Sequence, residues 1–323
     1  MLSRRILISS LAAVVLVGLH GPGLAQAYPA RPITLIVPFA AGGFNDVIVR
    51  IVTAPMSKTL GVSIIVENDA GAGGTTATAR AAAAPADGYT LIAGSMGTHG
   101  AAPTQYPNLK YDPTKDFTPI GLTAEAPAVL VTRKDFPANT LAEFIEYVRK
   151  NPTKVNEAHA GVGSQMHTYC TLLQSILGTK TARIAYRGGA PAINDLVAGQ
   201  VDFGCVSINT AVSQIQGGTV KALAIASPER AEIIRDVPTS VEAGLPEFQV
   251  SGWNAIFAPR NLPRDIQAKL SDALTRALED AATAKRLEEI GCFIPKRADR
   301  TPEALQGRVE HDVARWASVL KRE

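Results

Sequence analysis

Short apolar runs alternate with segments of helical period along most of the chain. Residues 33–37 are apolar at every position but Thr34, as expected of a strand buried on both faces. A turn from Pro38 to Gly43 follows, and Asn45 can cap a helix carrying Val47, Ile48, Ile51 and Val52 on one side. A second strand is expected over 63–67, then a glycine loop at 71–75, an alanine-rich helix to Ala84, a turn at 85–88 and a third strand over 89–93. Residues 98–127 hold Pro103, Pro107, Pro113, Pro119 and Pro127 and no helical period, which reads as a long irregular crossing.

The alternation then restarts. Strands are expected over 128–132, 155–160, 181–185, 201–206 and 221–226, with helices near 165–177 and 190–198. Thr140 and Glu143 have capping-box spacing before a helix that turns Leu141, Phe144, Ile145 and Val148 inward. Two C-terminal helices are marked by Ile266, Leu270, Leu274 and Leu278, and by Leu305, Val309, Val313, Trp316 and Leu320, the second with Pro302 at its first position. The fold class expected is α/β: two lobes with parallel sheets, residues 28–127 and 252–323 in the first and 128–251 in the second. The C-terminal segment shows no strand repeat and must pack on a lobe, the first by this division. The chain then crosses between lobes twice, forming a hinge over a shared cleft.

The first 27 residues are a different kind of segment. Arg4 and Arg5 precede an uncharged run over 6–19, and Ala25-Gln26-Ala27 closes it. These are the three parts of a secretory signal peptide, cleaved after Ala27, and the run is short for a membrane span. The paired arginines also fit a twin-arginine signal, leaving the export route open. Cleavage leaves 296 of 323 residues and lowers the formal charge from +3 by two, to +1. With 46% hydrophobic and 19% charged residues, this is a globular composition, and it lacks the basic runs of a nucleic-acid binder. The three cysteines, Cys170, Cys205 and Cys292, stand singly; they allow at most one disulfide and otherwise read as small buried side chains.

Four loops after expected strands are rich in glycine and small polar residues: 40–43, 94–98, 161–165 and 186–189. Each leads to a helix N-terminus, where free N–H groups and the helix dipole attract an anion. No nucleotide motif is complete: the G-x-G-x-x-G pattern started by Gly71 has Thr76 in its last place, and no P-loop occurs. The scattered histidines give no metal spacing, so no cofactor or metal is expected. Ser95 follows a strand as a hydrolase nucleophile does, but Gly97, Gly100 and Pro103 argue against the helix that such a serine needs. Asp46 fits helix capping better than ligand contact. Asp202 fits a turn or interlobe bond as well as a ligand contact, and Arg187 a surface ion pair or a ligand carboxylate. His99 and His167 read as loop or cap residues able to reach a ligand.

Several strings together resemble one family. They are Tyr28-Pro29-Ala30-Arg31-Pro32-Ile33; Pro38-Phe39-Ala40-Ala41-Gly42-Gly43 with Asp46; Val66-Glu67-Asn68 with Gly71-Ala72-Gly73-Gly74; Asp87-Gly88-Tyr89-Thr90-Leu91; Tyr111-Asp112-Pro113 with Asp116-Phe117; Tyr186-Arg187-Gly188-Gly189-Ala190-Pro191-Ala192; Pro238-Thr239 with Glu242-Ala243-Gly244; and Trp253 before Ala258-Pro259. In this order they resemble the Bug receptors, the extracytoplasmic solute receptors of tripartite tricarboxylate transporters. The resemblance implies a two-lobed periplasmic binding protein fold of type II that closes on a small mono-, di-, aromatic or amino-acid carboxylate and delivers it to a membrane permease. It implies no catalysis, a monomer, and a periplasmic location. Carried over by position, the ligand contacts would be Phe39, Ala40, Ala41, Gly42, Gly43, Ser95, Gly97 and Thr98 in the first lobe. In the second they would be Gly163, Ser164, Gln165, His167, Arg187, Gly188, Gly189, Asp202, Ser207 and Asn209. Ala41 replaces the family's usual proline, and the Thr98-His99-Gly100 stretch is less typical. A receptor presenting its ligand to a membrane sensor needs the same cleft, and a secreted serine hydrolase using Ser95 is the rival from another class.

Overall fold

The computed structural model describes residues 28–320; the signal-peptide reading concerns residues outside this range. The first strands are β1 (Ile33–Val37), β2 (Ile64–Asn68) and β3 (Thr90–Ser95), with α1 (Phe44–Leu60) and α2 (Thr75–Ala82) between them. A π-helical turn, Met96–Ala101, runs into the short α3 (Ala102–Gln105). Then come β4 (Phe117–Arg133), α4 (Leu141–Lys150), β5 (Asn156–His159), α5 (Gln165–Leu177), β6 (Ala182–Ala185), α6 (Gly189–Val197), β7 (Phe203–Ser207), α7 (Ile208–Gln216) and β8 (Val220–Ile225). The chain ends in β9 (Ser251–Pro259), α8 (Arg264–Glu279), α9 (Ala281–Glu288) and α10 (Pro302–Leu320).

The strands run in the order β2-β1-β3-β9-β4-β7-β5-β6, with β8 also on β4. The outer strands are parallel, as the alternating pattern requires: β1 pairs with β2 and β3, and β5 with β6 and β7. The central strands β9 and β4 are antiparallel to their neighbours, so each lobe has a mixed sheet rather than a purely parallel one.

One strand belongs to both lobes. Positions Phe117 to Pro127 of β4 pair with β9, and from Ala128 onward β4 pairs with β7 and β8. The change of partner falls at Pro127, which has no N–H to donate. Beside it the chain crosses back: Val250 still exchanges backbone hydrogen bonds with Ala226 and Ala128, while Gly252 already pairs with Ala126 of the first lobe. The expected irregular crossing at 98–127 is therefore largely ordered. The π-turn and α3 occupy its start, and β4 is 17 residues long rather than the five over 128–132. Its prolines mislead because Pro119 sits beside a register shift of the β4–β9 ladder, where a missing donor costs little.

Strand β9 and helices α7 and α9 are additions to the sequence reading. Of the C-terminal helices, α8 lies against α1, and α10 against the π-turn and β4. At the N-terminal helix the cap differs from expectation. Gly43 precedes α1, Asn45 lies inside its first turn, and Asp46 accepts the Gly42 N–H at 2.9 Å. Thr140 caps α4 through the Glu143 N–H, while Glu143 reaches back to Asn139 rather than to Thr140. Cys170 and Cys205 form a disulfide joining α5 to β7, and Cys292 is a buried free thiol.

A candidate ligand cleft at four helix N-termini

Four helices begin at the carboxyl ends of β1, β5, β6 and β7, and their first residues surround one half-open cleft. From α1 come Gly43, Phe44 and Asn45; from α5, Ser164, Gln165 and Met166. Gly189 opens α6, and Ser207 and Thr210 bracket the start of α7. Phe39 and Ala160, just past β1 and β5, complete the wall. Among the described residues lining this cleft there is no Asp, Glu, Lys, Arg or His. Its electrostatic character is set by the positive ends of four helices, by backbone N–H groups and by neutral polar side chains. Gln165 is buried; its Nε2 donates to the Tyr169 hydroxyl at 2.7 Å, which lies 3.3 Å from the Ser207 hydroxyl, and its Oε1 has no partner.

The lobes are closed over this cleft. The Ala40 N–H donates across it to the Arg187 carbonyl at 3.0 Å, and the Gln105 amide meets His167 Nδ1 at 3.0 Å. A Cβ on Gly97 would stand 2.7 Å from the Gly163 carbonyl oxygen and 2.8 Å from the Gln165 nitrogen, so this approach needs glycine. Outside the cleft, Gly71 to Gly74, Tyr106, Val162, Tyr186 and Arg187 frame a wider groove of ≈ 540 Å³.

The residues expected at the site therefore separate. Phe39, Gly43, Ser164, Gln165, Gly189 and Ser207 line the cleft. Ala40, Gly97, Gly163, His167, Arg187 and Gly188 lie where the lobes meet, with Arg187 engaged through its carbonyl while its side chain is exposed. Ala41 and Gly42 are exposed, and the Gly42 N–H is taken by Asp46. Asn209 is buried in the first turn of α7, its amide unpartnered. Asp202 is a correction. It precedes β7, at the opposite end of that strand from Ser207, and its carboxylate holds Arg133 Nε at 2.9 Å and the Asn156 N–H at 2.8 Å. Ser95 and Thr98 are both fully buried, and they cap the π-turn through each other. Sequence reasoning missed Phe44, Asn45, Ala160, Met166 and Thr210. Thr210 was legible in principle, because Ile208, Ala211, Val212 and Ile215 have helical spacing right after Ser207.

A helical turn does follow Ser95, against expectation, yet no imidazole reaches its hydroxyl. His99 turns its Nδ1 to the Thr98 hydroxyl at 2.9 Å and stacks on Phe257 with ring centroids 4.1 Å apart. Burial holds the His99 imidazole at a pKa of about 3. The His167 pKa is likewise pulled down to about 3, by burial first and then by His159 and Arg183. Asp46 keeps its carboxyl below the usual range: burial pushes it up, and hydrogen bonds from Arg50, Gly42 and Asn68 outweigh that. Among the described residues no group of three or more His, Cys, Asp or Glu is placed to hold a metal ion.

Comparison with known proteins agrees with this architecture. Residues 48–322 match the model of the tripartite tricarboxylate transporter family receptor. The structure of MatC from Rhodopseudomonas palustris with bound malate is 46% identical, superposes with a TM-score of 0.89, and pairs 90% of this chain with 99% of that one. The periplasmic binding protein BugD is 39% identical with a TM-score of 0.87, over 91% of this chain and 98% of its own. BugT of Bordetella pertussis is 34% identical over 305 residues, 94% of this chain and 93% of BugT. These relatives are solute-binding proteins, not enzymes, and the fold is that of the two-lobed periplasmic binding proteins. The chain belongs to the tripartite tricarboxylate transporter receptor family, as a Bug-type periplasmic solute receptor.

Proposed function

We propose that this receptor captures a small carboxylate in the cleft at the starts of α1, α5, α6 and α7 and delivers it to a membrane permease of the tripartite type. The observation that carries this reading is the convergence of four helix N-termini on one cleft with no charged side chain in its wall. Such a wall favours an anion through dipoles and N–H groups. The malate in MatC, the relative at 46% identity, supports the same class of ligand. The lobes are residues 28–127 with 252–323, and 128–251; ligand binding stabilises the closed state over the open one. The chain is exported with cleavage after Ala27 and acts as a monomer.

Native mass spectrometry of protein purified from the periplasm, before and after denaturation and refolding, tests this. A one-to-one bound organic acid that is lost on refolding is expected, and adding it back should raise the melting temperature. Absence of a bound mass, with no thermal shift across a panel of mono- and dicarboxylates, overturns the reading.

A further inference from the structure

We propose that His167 makes ligand capture pH-sensitive: the lobes close on its neutral imidazole, and a proton taken up by the open form must leave before closure. This goes beyond the proposed carboxylate capture and rests on it. His167 stands in the first turn of α5, on the second lobe, and is 7% exposed. Part of its cover comes from the first lobe. Its Nδ1 lies 3.0 Å from the Gln105 amide at the end of α3, and the start of α5 packs against the π-turn. Opening the lobes takes Gln105 away and gives the ring to water.

The other side of the ring faces a cation. Nε2 lies 3.5 Å from Arg183 Nη1 on β6, and the His159 ring at the end of β5 stands 4.8 Å away between centroids. The nearby carboxylates are engaged elsewhere. Glu157 on β5 is held by Gln174 and by Arg183, and Asp312 of α10 and Glu125 of β4 meet Arg308. The π-turn brings His99, which is bonded to Thr98 and stacked on Phe257. A neutral His167 satisfies both neighbours: Nε2 accepts from Arg183, and Nδ1–H meets the Gln105 amide, whose Oε1 is otherwise without a partner. A protonated ring turns an N–H at the guanidinium and adds a buried charge. Burial first, then His159 and Arg183, accordingly hold the closed-form pKa at about 3, against 6.5 for a free imidazole. The lower value belongs to the closed form, so closure expels the proton and acid favours the open form.

Titration calorimetry of refolded, ligand-free protein with L-malate and succinate at pH 7.5 and pH 5.5 tests this. The better ligand is expected to bind about fivefold more weakly at pH 5.5, within the roughly tenfold per pH unit that one proton allows. At pH 6, titrations in two buffers of different ionisation heat should show proton release on binding. His167→Gln keeps a polar group for Gln105 to meet, and circular dichroism checks its fold. Its affinity should be nearly flat over the same range, with almost no proton released. Equal wild-type affinity at the two pH values, or the same fall in His167→Gln, overturns the switch and leaves the carboxylate reading intact. Should the variant not fold, the wild-type proton release decides: its absence overturns the switch. No binding by either acid, nor by other carboxylates, at pH 7.5 overturns both readings.

Discussion

The Tyr106 hydroxyl lies 2.6 Å from the carbonyl oxygen of Val162 and 2.7 Å from that of Ala72, so one proton ties the rim of the first lobe to the second. This bond exists only when the lobes meet. A net hydrogen bond is worth about 1 kcal/mol. Tyr106→Phe is therefore expected to weaken ligand affinity about fivefold while leaving the unliganded melting temperature nearly unchanged. Equal losses in both would mean that Tyr106 supports the first lobe rather than closure.

Gly73 faces the same carbonyl more tightly. A Cβ there would stand 1.7 Å from the Val162 oxygen, and the residue has φ +62°. Gly73→Ala should block closure and lower affinity by 100-fold or more, with a larger radius of gyration in the presence of ligand. Gly61 has a similar φ of +73° but nothing within 4 Å of its Cβ position. Gly61→Ala thus supplies the backbone strain alone, and it should keep full affinity at a stability loss of about 1 kcal/mol.

At the hinge, Arg308 bridges the two crossing strands. It lies 3.2 Å from Glu125 on β4 and 3.6 Å from Asp312, whose Oδ2 accepts the indole N–H of Trp253 on β9 at 2.6 Å. Burial already raises the Glu125 pKa, with Arg308 as the opposing influence. Arg308→Met should cost about 1 kcal/mol at pH 7, a modest figure because the guanidinium is about one-third exposed. Since Glu125 titrates higher in the folded state than in the unfolded, falling pH favours the native form. The deficit should shrink between pH 7 and pH 5 in urea titrations; a deficit constant over that range would exclude Glu125 as its source.

His99 gives the opposite slope. Its folded pKa of about 3 lies below the unfolded value of 6.5, so the unfolded chain binds the extra proton between those limits. The neutral imidazole contributes stability that is fully present above pH 6.5 and is lost as pH falls toward 3. His99→Phe, which can join Phe117 and Phe257 in the same cluster, should flatten the wild-type slope between pH 5 and 6 by about 1 kcal/mol per pH unit. Parallel stability curves for the two proteins would count against this.

The parallel outer strands and most helices were legible because each buries a run or stripe of its own residues. The apolar run of β1 and the Leu270-Leu274-Leu278 spacing of α8 reappear as buried positions. The crossing was not legible, since β4 and β9 owe their length to each other across more than 100 residues of sequence, a relation that local pattern does not carry. The site divides for the same reason. Glycines and small residues at helix starts announced the cleft, placing Phe39, Gly43, Ser164 and Gly189 in it. Asp202 misled because its position along β7 decides its role: at the far end of the strand it meets Arg133, not the cleft. The contact between the Ser95 and Thr98 hydroxyls was not legible either, because it depends on the π-turn that follows β3.

The central claim is that one carboxylate ligand sits among the starts of α1, α5, α6 and α7. A crystal structure of refolded protein grown with the acid identified by mass spectrometry tests it most directly. The account expects ligand density between Gly43–Asn45 on one side and Ser164–Gln165, Gly189 and Ser207 on the other, with carboxylate oxygens within hydrogen-bond distance of backbone N–H groups. Density in the outer groove at Tyr106 and Arg187, with the inner cleft holding only water, would contradict it.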